Sequence, residues 1–540
     1  MPEYLTPGVY VEEFEIGAKP IEGVSTSTAG FLGETERGPT YPQLVTSFPE
    51  YQRLFGGFFR GPAPGNEEKY LPYAVDGFFL NGGRRVFVAR IVDREGATNA
   101  TVTVGGVTIT AVGEGTWGDR IRFWIKPSSS GIGFRLQLHY WTAATLPATP
   151  VDPFSSLDQV AASATLRDAL RAQPAPQLSE DFDELVLDER SPNFIEKRVA
   201  NGLSMLVELR KANNTLPTPS PDPQLLTPGS DGTLPLALGD YQGRLNPVPA
   251  QNLKRTGLAA LDEPPFEEIA ILYTPDAFGA GVAGLVEEIV TRCENNKYRF
   301  AVLDTPRGLA QMGTIDPRSG QVPAGGRATQ YAAFYYPWIR VIDAETGARK
   351  FVPPGGHVIG IYARTDIERG VFKAPANEIV RGALELEFEV TDNAQGVLNP
   401  RGVNAIRAFP GRGRRVWGAR TLSDNTLWKY VNVRRLFIFI EASIFRGTQW
   451  VVFEPNNDRL WARVKQTITE FLRTQWRLGA LFGATEEEAF FVKVDRSTMT
   501  DDDINNGRLI VVIGIAPTRP AEFVIFRIAQ LTASATSVQL

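Results

Sequence analysis

The chain has 540 residues, a formal net charge of -5, 43% apolar residues and 22% charged residues. At roughly 150 residues per domain this is enough for about three or four domains, and the balance is globular rather than disordered or collagen-like. The mild acidity argues against a nucleic-acid binder, which needs a strongly basic face, and no run approaches the ~18 apolar residues of a membrane-crossing helix.

In chain order, residues 1–21 read as an extended β arm. Pro2, Pro7 and Pro20 discourage helix, and Val9, Tyr10 and Val11 favour strand. The opening MPEYLTPGVYVEEF has neither the basic nor the apolar region of a secretory signal. Residues 22–97 mix short strands and helices, and Val86 to Ile91 after Gly82-Gly83 reads as a buried strand. Residues 98–260 read as a β-rich outer insertion. TVTVGGVTIT has the pattern of a hairpin, and Ile121 to Lys126 and Phe134 to Tyr140 alternate in the same way. Within the insertion, prolines at 217, 219, 221, 223, 228, 235, 247 and 249 mark 213–260 as a surface excursion without regular helix or central strand.

Residues 261–423 read as an α/β middle domain. EIAILY, a helix over Val282 to Cys293 and a strand over Phe300 to Leu303 form a βαβ unit with parallel pairing. Residues 424–520 read as a compact α+β carboxy-terminal domain. The expected elements are a strand near Trp428 to Val433, a helix over Arg434 to Phe445 that also has strand character, and a strand over Trp450 to Phe453. A helix over Asn457 to Leu478 follows, with Asn457 as its cap and Gly479 past its end, then strands at Phe490 to Val494 and Leu509 to Ile515. Residues 521–540 read as a second β arm, fenced off by Pro517 and Pro520.

The chemistry that such a chain can carry is limited. The single cysteine, Cys293, permits no internal disulfide, so assembly in a reducing cytoplasm is expected. His139, His357 and Cys293 are three candidate ligands where a structural zinc site takes four. Phosphate-loop, nucleophile-elbow, HExxH and CxxC motifs are missing, so neither a metal, a cofactor nor an enzyme activity is expected. PGRGRR at 410–415 reads as a solvated turn, or as an inter-subunit salt bridge, before it reads as a phosphate site. Thr500 reads as the cap of a short helix with Asp503, in place of a calcium loop.

Two features point outward. The arms, Tyr4, Val9, Tyr10, Val11 and Phe14 at one end and Phe523, Val524, Ile525, Phe526 and Ile528 at the other, are strand-competent segments that need a sheet to join, either their own or a neighbour's. The helix over 457–478 buries Leu460, Trp461, Val464, Ile468, Phe471 and Leu472. Its opposite stripe is Arg459, Arg463, Gln466, Glu470, Arg473 and Arg477, a solvated face or a dock for an acidic partner.

These same stretches carry a resemblance. WGARTLS at 417–423, VNVRRL at 431–436, VFEPNNDRLW at 452–461, GALFGATEEEAFFVKVD at 479–495, GRLIVVIGIAPTRPAEFVIFRI at 507–528 and the opening YLTPGVYVEE at 4–13 are similar to the tail sheath family of contractile phage tails and phage-tail-like contractile injection systems. GTWGDRIRF, VPPGGHVIGIYARTD and GVFKAPAN also match, so the likeness spans the chain apart from the proline-rich excursion. The resemblance implies an α+β multidomain subunit whose inner carboxy-terminal domain is completed by strands from neighbouring subunits, with α/β and β-rich domains outside. It implies stacked hexameric rings in a helical polymer around an inner tube protein. Baseplate and terminal cap proteins are further partners, and nucleic acid and direct membrane insertion play no part. It places the tube-facing side at the 457–478 helix and hinges at Pro20, Gly23, Pro517 and Pro520. Assembly is expected in the bacterial cytoplasm, as part of a phage tail or tail-like particle. Both arms on one chain disfavour the two-chain sheaths of type VI secretion. A β-rich surface-binding or adhesin-like protein is the alternative reading.

Overall fold

The computed structural model describes residues 20–59, 69–155, 157–200, 203–245, 254–278, 281–319, 327–343 and 346–527. The amino-terminal arm residues Tyr4, Val9, Tyr10, Val11 and Phe14, and Ile528 at the other end, lie outside these. The architecture is mixed α+β and contains several sheets.

The largest sheet has nine strands in the order Glu378–Ile379, Gly413–Val416, Val403–Phe409, Ala332–Tyr336, Phe300–Asp304, Ile271–Tyr273, Ala29–Gly33, Val86–Arg90, Gln43–Val45. The central strands run parallel and the outer pairs antiparallel. Parallel strands need cover on both faces, and the apolar runs AGFLG, VFVAR, FAVLD and AAFYY are buried at every position. Residues on both sides of the β-rich insertion therefore share one sheet and one core. Helices Leu71–Leu80 and Gly355–Arg369 pack closely because Gly77, Gly356 and Gly360 carry no side chain. A Cβ on Gly77 would stand 2.2 Å from Nδ1 of His357.

The βαβ unit forms as the spacing predicts, with Ile271–Tyr273 parallel to Phe300–Asp304. Its helix is Leu285–Asn296 and begins three residues later than expected, because Gly281 and Gly284 hold positive φ. The insertion has its own core, built on the Thr101–Val104/Val107–Ala111 hairpin and on Ile121–Pro127, Phe134–Tyr140 and Leu178–Leu185. The proline-rich stretch is not a loose linker where it is described. Gln224–Leu225 pairs with Ile121–Pro127, Ser220 donates to the carbonyl of Ile125 at 2.9 Å, and Leu238–Gln242 forms a short helix.

A third core lies in the carboxy-terminal part, under helices Val431–Gly447 and Asp458–Arg477. Two strand expectations fail here. Residues 428–433 are a 3-10 turn, Thr426–Trp428, followed by the start of the Val431–Gly447 helix, where Val431 and Ile438 face one core and Leu436 and Ile440 face another. The β-branched and aromatic run VNVRRLFIFI is buried by packing, and packing overrides its strand propensity. Residues 450–453 are the end of a 3-10 turn, Gln449–Val451, and Phe453 has φ 68°, which no strand accommodates. The Asp458–Arg477 helix has Asn457 as cap, its side chain accepting from Leu460 N–H at 3.1 Å, and Gly479 at φ +85° just past its end. Strand Phe490–Lys493 pairs antiparallel with Val512–Ile515, shorter than the 509–515 expected.

Candidate assembly surfaces

The amino-terminal approach is fastened from Ile21 onward. Ile21 is buried against Gly447, whose added Cβ would meet it at 2.7 Å, and Gly23 lies under the ring of Phe439. Val24 N–H donates to Ser443 Oγ at 3.1 Å. Next to it the guanidinium of Arg435 forms two bonds to Asp366, at 2.9 and 2.6 Å, and a third to the carbonyl of Thr26 at 2.9 Å. Both partners of this pair are 4% exposed, so a buried, fully bonded ion pair joins the first strand segment, the Gly355–Arg369 helix and the Val431–Gly447 helix. Gly23 therefore serves close approach to Phe439, and the segment from Ile21 to Thr26 is bonded to the body in the isolated subunit.

The carboxy-terminal root is fastened too. Thr518 N–H donates to Ala480 O at 3.1 Å and Pro517 bridges to Leu481, so Pro517 and Pro520 sit inside a bonded segment. The last attachment is Glu522. Its carboxylate accepts from Arg420 Nε at 2.7 Å and Nη2 at 2.8 Å, from Asn399 Nδ2 at 2.8 Å and from Tyr430 Oη at 2.9 Å, with Lys429 at 3.4 Å. Arg420 is itself set in place by Asn404, which bonds both its N–H and its carbonyl at 2.7 and 2.8 Å. Partial burial pushes the Glu522 carboxyl up, but the donors outweigh it and hold it down to about 2. Glu522 was not legible in the sequence, since its partners lie about a hundred residues away. The only local signal was a lone acid between Pro520 and an apolar run.

Past this clamp the chain leaves the body. Phe523, Val524, Ile525 and Phe526 are 71%, 68%, 78% and 84% exposed and form no strand with their own chain. The β segment expected from Phe523 onward is therefore absent from the isolated subunit over its described residues. Four consecutive apolar side chains in water are a strong departure from a monomer's surface. The small sheet of Phe490–Lys493 and Val512–Ile515 is the complementary oddity. Two strands alone are marginal, its outer edges are unpaired among the described residues, and Phe491, Val512 and nearby Phe482 are exposed.

The third surface is the outer stripe of the Asp458–Arg477 helix. Arg459, Arg463, Gln466, Glu470 and Arg477 face solvent as the spacing predicts. Arg473 is only half available, because it makes a two-point pair with Glu486 at 2.8 and 2.9 Å. Gln466 donates to Glu470 at 3.0 Å, and Arg463 lies over the Trp450 ring at 4.3 Å.

The other candidates of the sequence are structural in this fold. His139 and His357 are buried, which lowers each to about 4, and burial pushes the Cys293 thiol up to about 12. The 410–415 segment is the turn of the Val403–Phe409/Gly413–Val416 hairpin, and Thr500 and Asp503 form a capping box. Among the described residues no cluster suits a metal and no helix is long and apolar enough to cross a membrane. A cleft of about 820 Å³ lies between the nine-stranded sheet and the insertion. Two of its charged residues, Glu36 and Arg120, are bridged by the Tyr140 hydroxyl, which donates to Glu36 at 2.9 Å and accepts from Arg120 at 2.7 Å.

Two family models match adjoining stretches that together cover residues 254–530. The phage tail sheath protein central domain covers residues 254–422, and the phage tail sheath C-terminal domain covers 423–530. The chain belongs to the phage tail sheath family. A putative prophage major tail sheath protein of Pseudomonas aeruginosa (strain UCBPP-PA14) is 25% identical over 196 residues, 36% of this sheath chain and 49% of the relative, so the chain spans about half the length of the curated relative it matches. The whole length is matched in fold by the sheath complex of an extracellular contractile injection system, PVC, in the contracted state. The TM-score is 0.56 and the identity 24%, with 98% of this chain and 99% of the other covered. The contracted helical sheath of the anti-feeding prophage, AFP, gives the same TM-score, 0.56, and identity, 24%, over 97% and 99% of the two chains. As a tail sheath chain it is a structural protein of phage tails or phage-tail-like particles.

Proposed function

We propose that the chain is the repeating subunit of a contractile sheath, polymerising as stacked hexameric rings around an inner tube and anchored at its ends by baseplate and cap proteins. The observation that carries this reading is the exposed, unpaired run Phe523–Phe526 directly after the Glu522 clamp. Such a strand gains backbone bonds and apolar burial by joining a neighbour's sheet, at roughly 1 kcal/mol per hydrogen bond. The open edges of the Phe490–Lys493/Val512–Ile515 pair are the acceptors in a neighbouring copy, and the arm of residues 4–14 is the second tether. The pivot of the carboxy-terminal tether lies between Glu522 and Phe523, past the prolines. The arginine stripe faces the tube.

Contraction follows from the same parts. The long state is metastable, held by tube and baseplate contacts. On release, the bodies rotate outward as units, since the buried Arg435–Asp366 pair fastens the domains to one another, while the arms remain threaded through their neighbours. The closer packing supplies the work that drives the tube through a target envelope. Assembly takes place in the bacterial cytoplasm before release.

Deleting residues 1–16 tests the mesh. The expected product is a folded monomer that forms no sheaths by electron microscopy, and normal tubular polymers from that truncation refute the reading.

A further inference from the structure

The nine-stranded sheet contains a topological switch point. Ala29–Gly33 and Ile271–Tyr273 lie side by side and parallel, yet the chain leaves the first for the flank that carries Val86–Arg90 and the second for Phe300–Asp304 on the opposite flank. In open α/β sheets, the crevice outside the carboxyl ends of the strands at such a point is where ligands bind. The cleft of about 820 Å³ opens at this place, and its size is that of a small-ligand site. Glu34 and Glu36 follow the end of Ala29–Gly33, Arg90 ends Val86–Arg90, and the facing wall includes the Thr116–Arg120 turn of the insertion.

The carboxylates that line the cleft are all engaged. Glu34 pairs with Lys69, and Glu36 accepts from the Gly57 N–H at 3.0 Å and from Tyr140. Asp231 accepts from the N–H and the hydroxyl of Thr116 at 3.0 and 2.6 Å, and Asp343 from the Tyr73 hydroxyl at 2.8 Å. The two guanidiniums are not. Arg90 is 4% exposed; its Nη1 donates to the carbonyls of Gly38 and Glu114 at 3.2 and 2.8 Å, and its Nε has no acceptor among the described residues. Trp117 Nε1 donates to the same Glu114 carbonyl at 3.0 Å, so Arg90 reaches the very turn that ends in Arg120. Arg120 gives Nη2 to Tyr140, and its Nε likewise lacks an acceptor. Neither arginine forms an ion pair among the described residues. The Nε edge of a guanidinium is a fork that grips two oxygens of a phosphate or carboxylate at once, and a buried donor left without an acceptor costs stability until something fills it.

We propose that this cleft is a binding site for a small oxyanion, a phosphate group, held between Arg90 of the sheet and Arg120 of the insertion. The two arginines belong to units with separate hydrophobic cores. A bound phosphate therefore pins the insertion to the sheet, and its occupancy sets how firmly the outer unit is held. The group is either free phosphate or the head of a phosphomonoester whose body lies along Phe58 and Ile91, which also line the cleft.

The test is isothermal titration of the full chain with inorganic phosphate and with phenyl phosphate, at an ionic strength held constant with chloride. Saturable binding of one phosphate per chain is expected. Tighter binding of phenyl phosphate identifies an esterified ligand, and equal binding identifies free phosphate. Arg120→Gln keeps a donor for Tyr140 but loses the charge and the fork, and should weaken binding at least about tenfold. Hydrogen exchange gives a second reading on the parent chain alone. Phosphate should slow exchange at the Thr116 amide, which donates to Asp231 beside the site, and chloride should not; this comparison decides the matter if Arg120→Gln lowers the melting temperature. No saturable binding by the parent, equal binding by a folded Arg120→Gln, or equal protection of Thr116 in chloride overturns the proposal.

Discussion

Glu522 is the point at which the carboxy-terminal arm is released from the body, and its removal is the most informative single change. Glu522→Ala takes the partner from Arg420, whose side chain is 9% exposed, and from Asn399 and Tyr430. A carboxyl held at about 2 against an ordinary value of 4.5 corresponds to roughly 3 kcal/mol, and screening at a partly exposed site brings this to about 2 kcal/mol. The loss should be local. The segment from Ala516 to Glu522 should open about 30-fold more often, the equivalent of ~2 kcal/mol. Hydrogen exchange at the Thr518 amide, which donates to Ala480, reads this directly, while the amides of the nine-stranded sheet stay protected. The sign with pH follows from the lowered carboxyl. The clamp's contribution is complete above the unfolded value near 4.5 and is lost as the pH falls through 4.5 towards 2, so the mutant and the parent should converge in acid. Unchanged protection of Thr518 in Glu522→Ala at neutral pH would refute the clamp.

Other consequences are as direct. Arg435→Met leaves Asp366 buried without its partner and should cost about 3–5 kcal/mol in urea denaturation, most of it recovered in the Arg435→Met/Asp366→Leu double variant; a single-variant cost near zero contradicts the junction. Burial pushes Asp304 up to about 7, and the same holds for Asp276. Each favours the fold most below the ordinary carboxyl value, and that stability is lost as the pH rises through 7, so Asp304→Asn should flatten the decline of the urea midpoint between pH 5 and 8; an identical slope excludes Asp304 as its source. Gly77→Ala drives a methyl into His357 and should cost roughly 1–3 kcal/mol, read as a lower melting temperature.

What the sequence disclosed follows from where the information resides. The βαβ unit, the TVTV/VTIT hairpin and the Asp458–Arg477 helix are local patterns, with a period of two or of 3.6 residues and a cap at the right position, and they form as read. VNVRRLFIFI is strand-like by composition, yet it is a helix because two cores meet on it, and composition carries no trace of that meeting. Trp450 to Phe453 failed for the opposite reason: a conformation unsuited to its residues is held there. The arms were visible as strand-competent ends, but where the carboxy-terminal one becomes free was not. Prolines at 517 and 520 look like a hinge, and only the fold brings Asn399, Arg420 and Tyr430 to Glu522 beyond them.

The central claim is that one subunit lends its tail to another, and a cryo-electron microscopy reconstruction of the assembled particle tests it most directly. The account predicts residues 523–527 as a strand hydrogen-bonded to the Phe490–Lys493/Val512–Ile515 sheet of a different copy. Density that turns the same residues back onto the sheet of their own chain, with no foreign strand at either edge, would contradict it.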